Sequence, residues 1–151
     1  MNKGDTLPDF TLNDQNGEPY ASELVKGKQP VVIYFYPKNF TPGCTKEACS
    51  FRDAYEDFKD LGAEVIGISA DTDVSHQKFA KRYRLPFVLL ADTKKKVRKL
   101  FNVQSTMLGL LPGRETFVFD ASGILVYKFE SMGATKHIEK SLQYLQKNSD
   151  G

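Results

Sequence analysis

The chain has 151 residues, a formal charge of +2, 40% hydrophobic residues and 26% charged residues. A chain of this length buries enough surface to form one domain without metal or disulfide staples, and its apolar content excludes intrinsic disorder. The longest apolar run, Val31–Tyr36, has six residues; a membrane helix needs about 20, which excludes a helical membrane protein.

The opening Met1–Pro8 carries neither an apolar signal core nor a transit pattern, so the expectation is one domain over residues 1–151, cytoplasmic and away from membranes. Phe10–Leu12 and Glu18–Tyr20 flank the turn-rich Asn13–Gly17 and predict an N-terminal β-hairpin. Ser22–Lys26 predicts one helical turn stopped by Gly27. Val31–Tyr36 is β-branched and aromatic, lies between prolines, and reads as a central buried strand. A helix follows from about Cys44 to Leu61, with apolar residues at Ala48, Phe51, Tyr55 and Phe58, a cap near Thr41 and a stop at Gly62. Glu64–Ser69 predicts a second buried strand, and Asp71 or Asp73 a cap for a helix ending at Tyr83. Phe87–Leu90 reads as a third strand, and Thr93 as the cap of a short helix over Lys95–Phe101. Residues 102–114 read as a loop, in which Val103, Met107, Leu108, Leu110 and Leu111 contact an organic substrate or fill a gap between helix and sheet. Thr116–Phe119 and Ile124–Phe129 predict a hairpin, and Ile138, Leu142 and Leu145 a final helix with Thr135 near its start. Strand–helix alternation followed by a hairpin implies an α/β fold: a mixed central sheet with helices on both faces.

Nine basic residues and one acid lie between Lys78 and Lys99, leaving twelve basic and eighteen acidic residues elsewhere. Such a run is either a solvated helix face or a docking surface for an acidic partner; no RNA-binding aromatic signature or zinc-finger spacing accompanies it, so nucleic acid is not the expected partner. Two cysteines, Cys44 and Cys49, close too short a loop to staple a fold, and they point instead to reactive thiols in a reducing compartment. His76 and His137 lie far from them in sequence and lack zinc-ligand spacing. With no phosphate loop or haem motif either, no cofactor or metal is expected.

The strongest chemical signal is Tyr36-Pro-Lys-Asn-Phe-Thr-Pro-Gly-Cys-Thr-Lys-Glu-Ala-Cys49. A strand ends at Pro37 and a helix begins near Cys44. The thiol therefore sits where backbone N–H groups lack partners and the helix dipole is positive, a setting that favours thiolate. It also lies at the carboxyl end of a central strand, where open α/β sheets bind ligands. Five helical steps separate the two sulfurs by about 140° and a rise of about 7.5 Å, so in a regular helix they cannot bond. Either Cys49 is a bystander, or the helix unwinds during a reaction cycle.

Thr41-Pro-Gly-Cys-Thr after Phe35-Tyr-Pro resembles the active-site motif of peroxiredoxins. The spacing from Cys44 to Cys49, the stretch Leu111-Pro-Gly-Arg-Glu-Thr-Phe-Val-Phe-Asp120 and the opening Gly4–Leu12 resemble the peroxiredoxin Q subfamily, also called bacterioferritin comigratory protein. The resemblance runs from about Lys3 to Leu145. It implies a thioredoxin-like fold and a thiol-dependent peroxidase acting on hydrogen peroxide and organic hydroperoxides. It also implies a peroxidatic Cys44, a resolving Cys49 that forms a disulfide with it inside one chain, a thioredoxin-like dithiol reductant, and a monomer. Pro37, Thr41 and Arg114 match the positions that shape the peroxide pocket. The residue types suit those roles. Arg114 supplies fixed charge and forked donors, and the Thr41 hydroxyl both donates and accepts. Pro42 shields the sulfur, and the Gly43 and Cys44 amides complete an anion-binding nest. A salt bridge from Arg114 to Glu115 or another acid at a loop end, and a plain helix cap at Thr41, are the competing structural roles. The Leu111–Thr116 stretch looks closest to photosynthetic members, so a processed plastid chain is the alternative to the cytoplasm. Two other functions compete with peroxidase: general disulfide exchange, which normally uses cysteines two residues apart, and binding through the Lys78–Lys99 run.

Overall fold

A computed structural model describes residues 1–103, 105–106, 111–112, 114–130 and 136–149. Strands β1 (Thr11–Asp14) and β2 (Pro19–Ala21) form the expected N-terminal hairpin. Its turn is held by Asp14, whose Oδ1 accepts from the Asn16 and Glu18 amides, with Gly17 in the left-handed region at φ 76°. After a 3-10 turn at Ser22–Leu24 comes β3 (Val31–Phe35), buried at every position. Helices α1 (Pro42–Asp53) and α2 (Tyr55–Asp60) lead to β4 (Glu64–Ser69), and α3 (Asp73–Tyr83) leads to β5 (Val88–Ala91). Then come α4 (Lys96–Leu100), two short strands β6 (Ser105–Thr106) and β7 (Leu111–Pro112), the hairpin strands β8 (Glu115–Phe119) and β9 (Leu125–Glu130), and α5 (Lys136–Ser149).

Among the described residues, seven strands form one sheet in the order β2-β1-β5-β4-β3-β8-β9. β3, β4 and β5 run parallel, joined by helical crossovers, while β8 lies antiparallel against β3. The N-terminal hairpin continues this sheet, pairing Asn13 with Ala91 and Asp14 with Leu90. The mixed sheet of the expectation is therefore present, with a core on each face. One face packs Tyr34, Tyr36, Cys44, Phe51, Phe58, Phe79, Val118 and Leu145 beneath α1, α2, α3 and α5. The other packs Phe10, Ile33, Phe35, Ile66, Val97, Phe101 and Phe117 beneath α4 and the N-terminal segment. Strand alternation explains the division, since successive β3 side chains point to opposite faces. The Tyr34 ring crosses β4 at Gly67, where an added Cβ would lie 2.8 Å from the ring, so only glycine fits there.

Several local expectations need correction. The single helix over 44–61 begins at Pro42 and is divided at Ala54, which leaves helical geometry at φ −95°, ψ 2°; nothing in the residue types marks that break. The cap of α3 is Thr72, whose hydroxyl accepts from the Ser75 amide, rather than Asp71 or Asp73. Before α4, Asp92 rather than Thr93 takes up the free amides of Val97 and Arg98, reaching over Lys95 in the left-handed region. Residues 102–114, expected as a loop, contain the β6–β7 ladder. The side chain of Val103 packs against the second core; those of Met107, Leu108, Leu110 and Leu111, like Thr135, lie outside the described residues. The Lys78–Lys99 run is not one patch. Lys78, Lys81 and Arg82 ride on α3 over one core, and Lys96 and Lys99 on α4 over the other.

Candidate active site

Cys44 is the third residue of α1, at the carboxyl end of β3. Its side chain shares the inward face with Glu47, Ala48 and Phe51, the three- and four-step spacing of a helix, and is 2% exposed. Pro42 opens the helix, where a missing N–H costs nothing. Thr41 occupies the cap position, yet its side chain makes no capping bond; the hydroxyl donates instead to the Lys38 carbonyl at 2.8 Å. The Thr41 hydroxyl therefore leaves the Gly43 and Cys44 amides at the helix start untouched.

Arg114 reaches this helix start through strand pairing. β8 lies antiparallel to β3 with Glu115 opposite Phe35, so the residue before Glu115 lies just past the end of β3. Its Nη2 donates to Cys44 Sγ at 3.5 Å, and its Nη1 donates to Glu47 Oε1 in a buried ion pair. An added Cβ on Gly43 would lie 3.1 Å from Nη2, so glycine there gives the guanidinium its place. Glu47 is wholly buried. Burial pushes its carboxyl up to about 8, against the downward pull of Arg114. Burial weakens the hold of Arg114 on its proton, but the facing Glu47 and Cys44 outweigh that and raise it overall. Glu47 Oε2 and Arg114 Nε have no hydrogen-bond partner among the described residues. His137 Nδ1, on α5, lies 2.6 Å from Thr116 Oγ1 and 3.9 Å from Glu47 Oε2.

Behind the segment 37–41 lies a second buried polar group. Asn39, 3% exposed, accepts from the Tyr36 hydroxyl at 2.6 Å and lies 2.9 Å from His76 Nδ1. Its amide nitrogen also donates to Ser75 Oγ, and its backbone N–H donates to Asp71.

These features can be set beside known proteins. A profile of the AhpC/TSA family matches residues 3–128. The chain is 55% identical to peroxiredoxin Q, chloroplastic, of Sedum lineare over 97% of its own length and 78% of that protein's. It is 53% identical to the chloroplastic peroxiredoxin Q of Arabidopsis thaliana, over 97% and 68%. The chain belongs to the AhpC/TSA family. It is a thiol-dependent peroxidase of the peroxiredoxin Q type. Among solved structures it is similar to the peroxidoxin BcpB of Mycobacterium tuberculosis, with a TM-score of 0.89, 39% identity and 97% coverage of both chains. It is also similar to a cysteine-to-serine mutant of the Xylella fastidiosa peroxiredoxin Q, with a TM-score of 0.91, 28% identity and coverage of 99% and 98%. The thioredoxin-like fold is thereby established.

Of the residues expected to shape the peroxiredoxin pocket, the structure brings Cys44, Gly43 and Arg114 together. Thr41 adjoins them through the helix start, but its hydroxyl faces Lys38. Pro37 follows β3 and lines a small cleft with Ser69, Asp92 and Arg98. Cys49 lies within the same uninterrupted helix as Cys44, partly exposed, and both are free thiols. The buried ion pair of Arg114 is made with Glu47, whereas the charge of Glu115 acts on Arg98. Glu47 went unread in the sequence although it stands three residues after Cys44, which puts it on the same helix face. His137, Asn39 and His76 had no local signal; only the tertiary fold brings them here.

Proposed function

We propose that Cys44 is the peroxidatic residue and that Arg114 is its electrostatic partner. The Cys44 thiolate attacks the nearer peroxide oxygen. The O–O bond breaks, the sulfur is oxidised to sulfenic acid, and the leaving oxygen departs as water or an alcohol after taking a proton. Arg114 acts with the free amides at the start of α1 on charge that develops along the S–O–O line. The Thr41 hydroxyl, with its proton on Lys38, is an acceptor for the peroxide proton, and Gly43 and Pro42 wall the approach. The observation that carries this reading is the 3.5 Å contact of Arg114 Nη2 with Cys44 Sγ in the first turn of a helix.

Cys49 then resolves the sulfenic acid: its thiol sulfur displaces hydroxide from Cys44, and one water leaves as the disulfide forms. Both cysteines lie in α1, so this step requires the helix to unwind. Pairing inside one chain needs no second copy, in keeping with a monomer. A dithiol protein of the thioredoxin kind returns the pair to thiols. A Xanthomonas campestris bacterioferritin comigratory protein, 26% identical over 96% of this chain with a TM-score of 0.85, is described by its alkyl peroxide reduction activity, which supports organic hydroperoxides beside hydrogen peroxide as substrates. The chloroplastic naming of the plant relatives favours a plastid setting over a cytoplasmic one.

The test is the intact mass of the reduced protein seconds after one equivalent of hydrogen peroxide. Loss of two hydrogens per chain without a dimer is the expected result. An unchanged mass overturns the assignment.

A further inference from the structure

The buried group around Asn39 has a single consistent arrangement of donors and acceptors. His76 is fully buried, and its Nε2 lies 2.9 Å from the Leu90 carbonyl. A carbonyl only accepts, so in the neutral ring that burial favours Nε2 carries the proton and Nδ1 presents a lone pair. Nδ1 is 2.9 Å from Asn39 Nδ2, which therefore donates to it. The amide oxygen of Asn39 is then left to accept from the Tyr36 hydroxyl, as the 2.6 Å contact requires. A flipped amide would set an oxygen against the Nδ1 lone pair. Asp71, held by Ser69 Oγ, fixes the Asn39 backbone N–H. The next residue, Phe40, is held at φ 66°, and its half-exposed ring packs on Phe79 and Tyr83 of α3. Two consecutive residues of the 37–41 segment are thus anchored on α3 and the turn before it.

We propose that Asn39 and His76 are positioning residues for the peroxide reaction: together they clamp the 37–41 segment onto α3 and so fix where α1, with Cys44 in its first turn, begins. The proposal rests on the assignment of Cys44 above. Neither residue touches Cys44; they act through the segment that leads into α1. Because the clamp holds the folded α1, weakening it slows attack on peroxide and favours the unwound form that Cys49 needs.

Asn39→Asp tests the role of the amide donor. The carboxylate accepts from Tyr36 and Ser75 but has no hydrogen for His76 Nδ1, so two lone pairs meet. A proton on His76 turns that conflict into an ion pair. The groups facing His76 are Asn39 from the 37–41 segment, Tyr36 from the end of β3, Asp71 from the β4–α3 turn, Asp73 from α3 and the Leu90 carbonyl from β5. Of these, only Asn39 changes in the variant. The experiment follows Cys44 oxidation by hydrogen peroxide through rapid quench, alkylation and intact mass, for the wild type, Asn39→Ala and Asn39→Asp, between about pH 8 and pH 5. Asn39→Ala is expected to lower the second-order rate constant on the order of tenfold, a cost typical of displaced reacting groups. It should also form the Cys44–Cys49 disulfide faster once the sulfenic acid exists. Asn39→Asp should match Asn39→Ala near pH 8 and recover toward the wild type as pH falls, so its rate relative to the wild type rises with acid. A mere packing defect gives no such recovery. Wild-type rates in both folded variants, or a pH-independent ratio for Asn39→Asp, overturn the clamp. The His76 ring nitrogen shifts of the unmodified protein give a second check that needs no variant: a proton on Nδ1 at neutral pH overturns it. A wild type that leaves peroxide unreduced instead brings down the assignment of Cys44.

Discussion

Arg114 serves two partners with one guanidinium, and the balance between them depends on the protonation of Glu47. Burial pushes the Glu47 carboxyl up to about 8 against the pull of Arg114, so the ion pair seen in the structure is the form present above that pH and a protonated Glu47 the form present below it. The sign of the stability effect follows. The folded chain keeps this proton to higher pH than the unfolded chain, whose carboxyl titrates near 4.5. Stability from the protonated group is therefore complete at low pH and is lost as pH rises toward about 8. Glu47→Gln retains an acceptor for Arg114 but cannot ionise, so in urea melts between about pH 5 and pH 8 the wild type should lose unfolding free energy relative to the variant by an amount on the order of a few kcal/mol. Parallel decline in both proteins would mean that other groups titrate there. Gly43 gives a second prediction. Gly43→Ala places a Cβ 3.1 Å from Arg114 Nη2. Alanine raises helix stability by up to about 1 kcal/mol relative to glycine, while displacement of the guanidinium should cost on the order of tenfold in the rate of Cys44 oxidation. Stability and reactivity should move in opposite directions, read by thermal melting and rapid quench. The sequence made Cys44 and Arg114 legible through the motif. It hid Glu47 in plain periodicity, and it hid His137 because no local pattern connects α5 with α1.

At the scale of elements, α1 carries the main tension. It holds both sulfurs in one run of helix, a geometry in which they cannot bond. Conversion of reduced protein to the disulfide should therefore lower helical circular dichroism and raise hydrogen exchange across residues 42–49. Cys49→Ser, which stops at the sulfenic acid, should show neither change; equal exchange in the oxidised wild type and the variant would contradict unwinding. Elements with long apolar periods were placed well from sequence: β3, β4 and the β8–β9 hairpin lie close to their expected positions, and the expected helix after β3 is present but divided into α1 and α2. Caps were not. Thr72 displaced two nearby aspartates because its hydroxyl, at the position before the first helical turn, meets the Ser75 amide. Asp92 displaced Thr93 because Lys95 turns left-handed and lets a more distant carboxylate reach the amides of α4. Short polar residues crowd such turns, and only the backbone path decides among them.

For the whole molecule, the alternation of strands and helices was enough to give the parallel core of β3, β4 and β5, because crossover connections leave little choice. The edges were less legible. The attachment of the N-terminal hairpin to β5 uses two residue pairs and the side chain of Gln15, which donates to the Phe87 carbonyl and accepts from the Leu89 amide. An amide side chain that imitates a strand backbone has no periodic signature. The basic run from Lys78 to Lys99 misled for a related reason: a strand of the sheet, β5, lies within it and sends its two halves to opposite sides.

The pairing of β8 with β3 has a consequence for the birth of the protein. Cys44 and Arg114 are 70 positions apart, and that antiparallel ladder brings them together. A chain emerging from the ribosome exposes both cysteines long before the guanidinium has been made, and even afterwards the sulfur lacks its charge partner until the ladder closes. On the role proposed for Arg114, full reactivity is withheld from incomplete chains, and the speed with which the thiol is consumed becomes a gauge of how many molecules in a sample have finished folding.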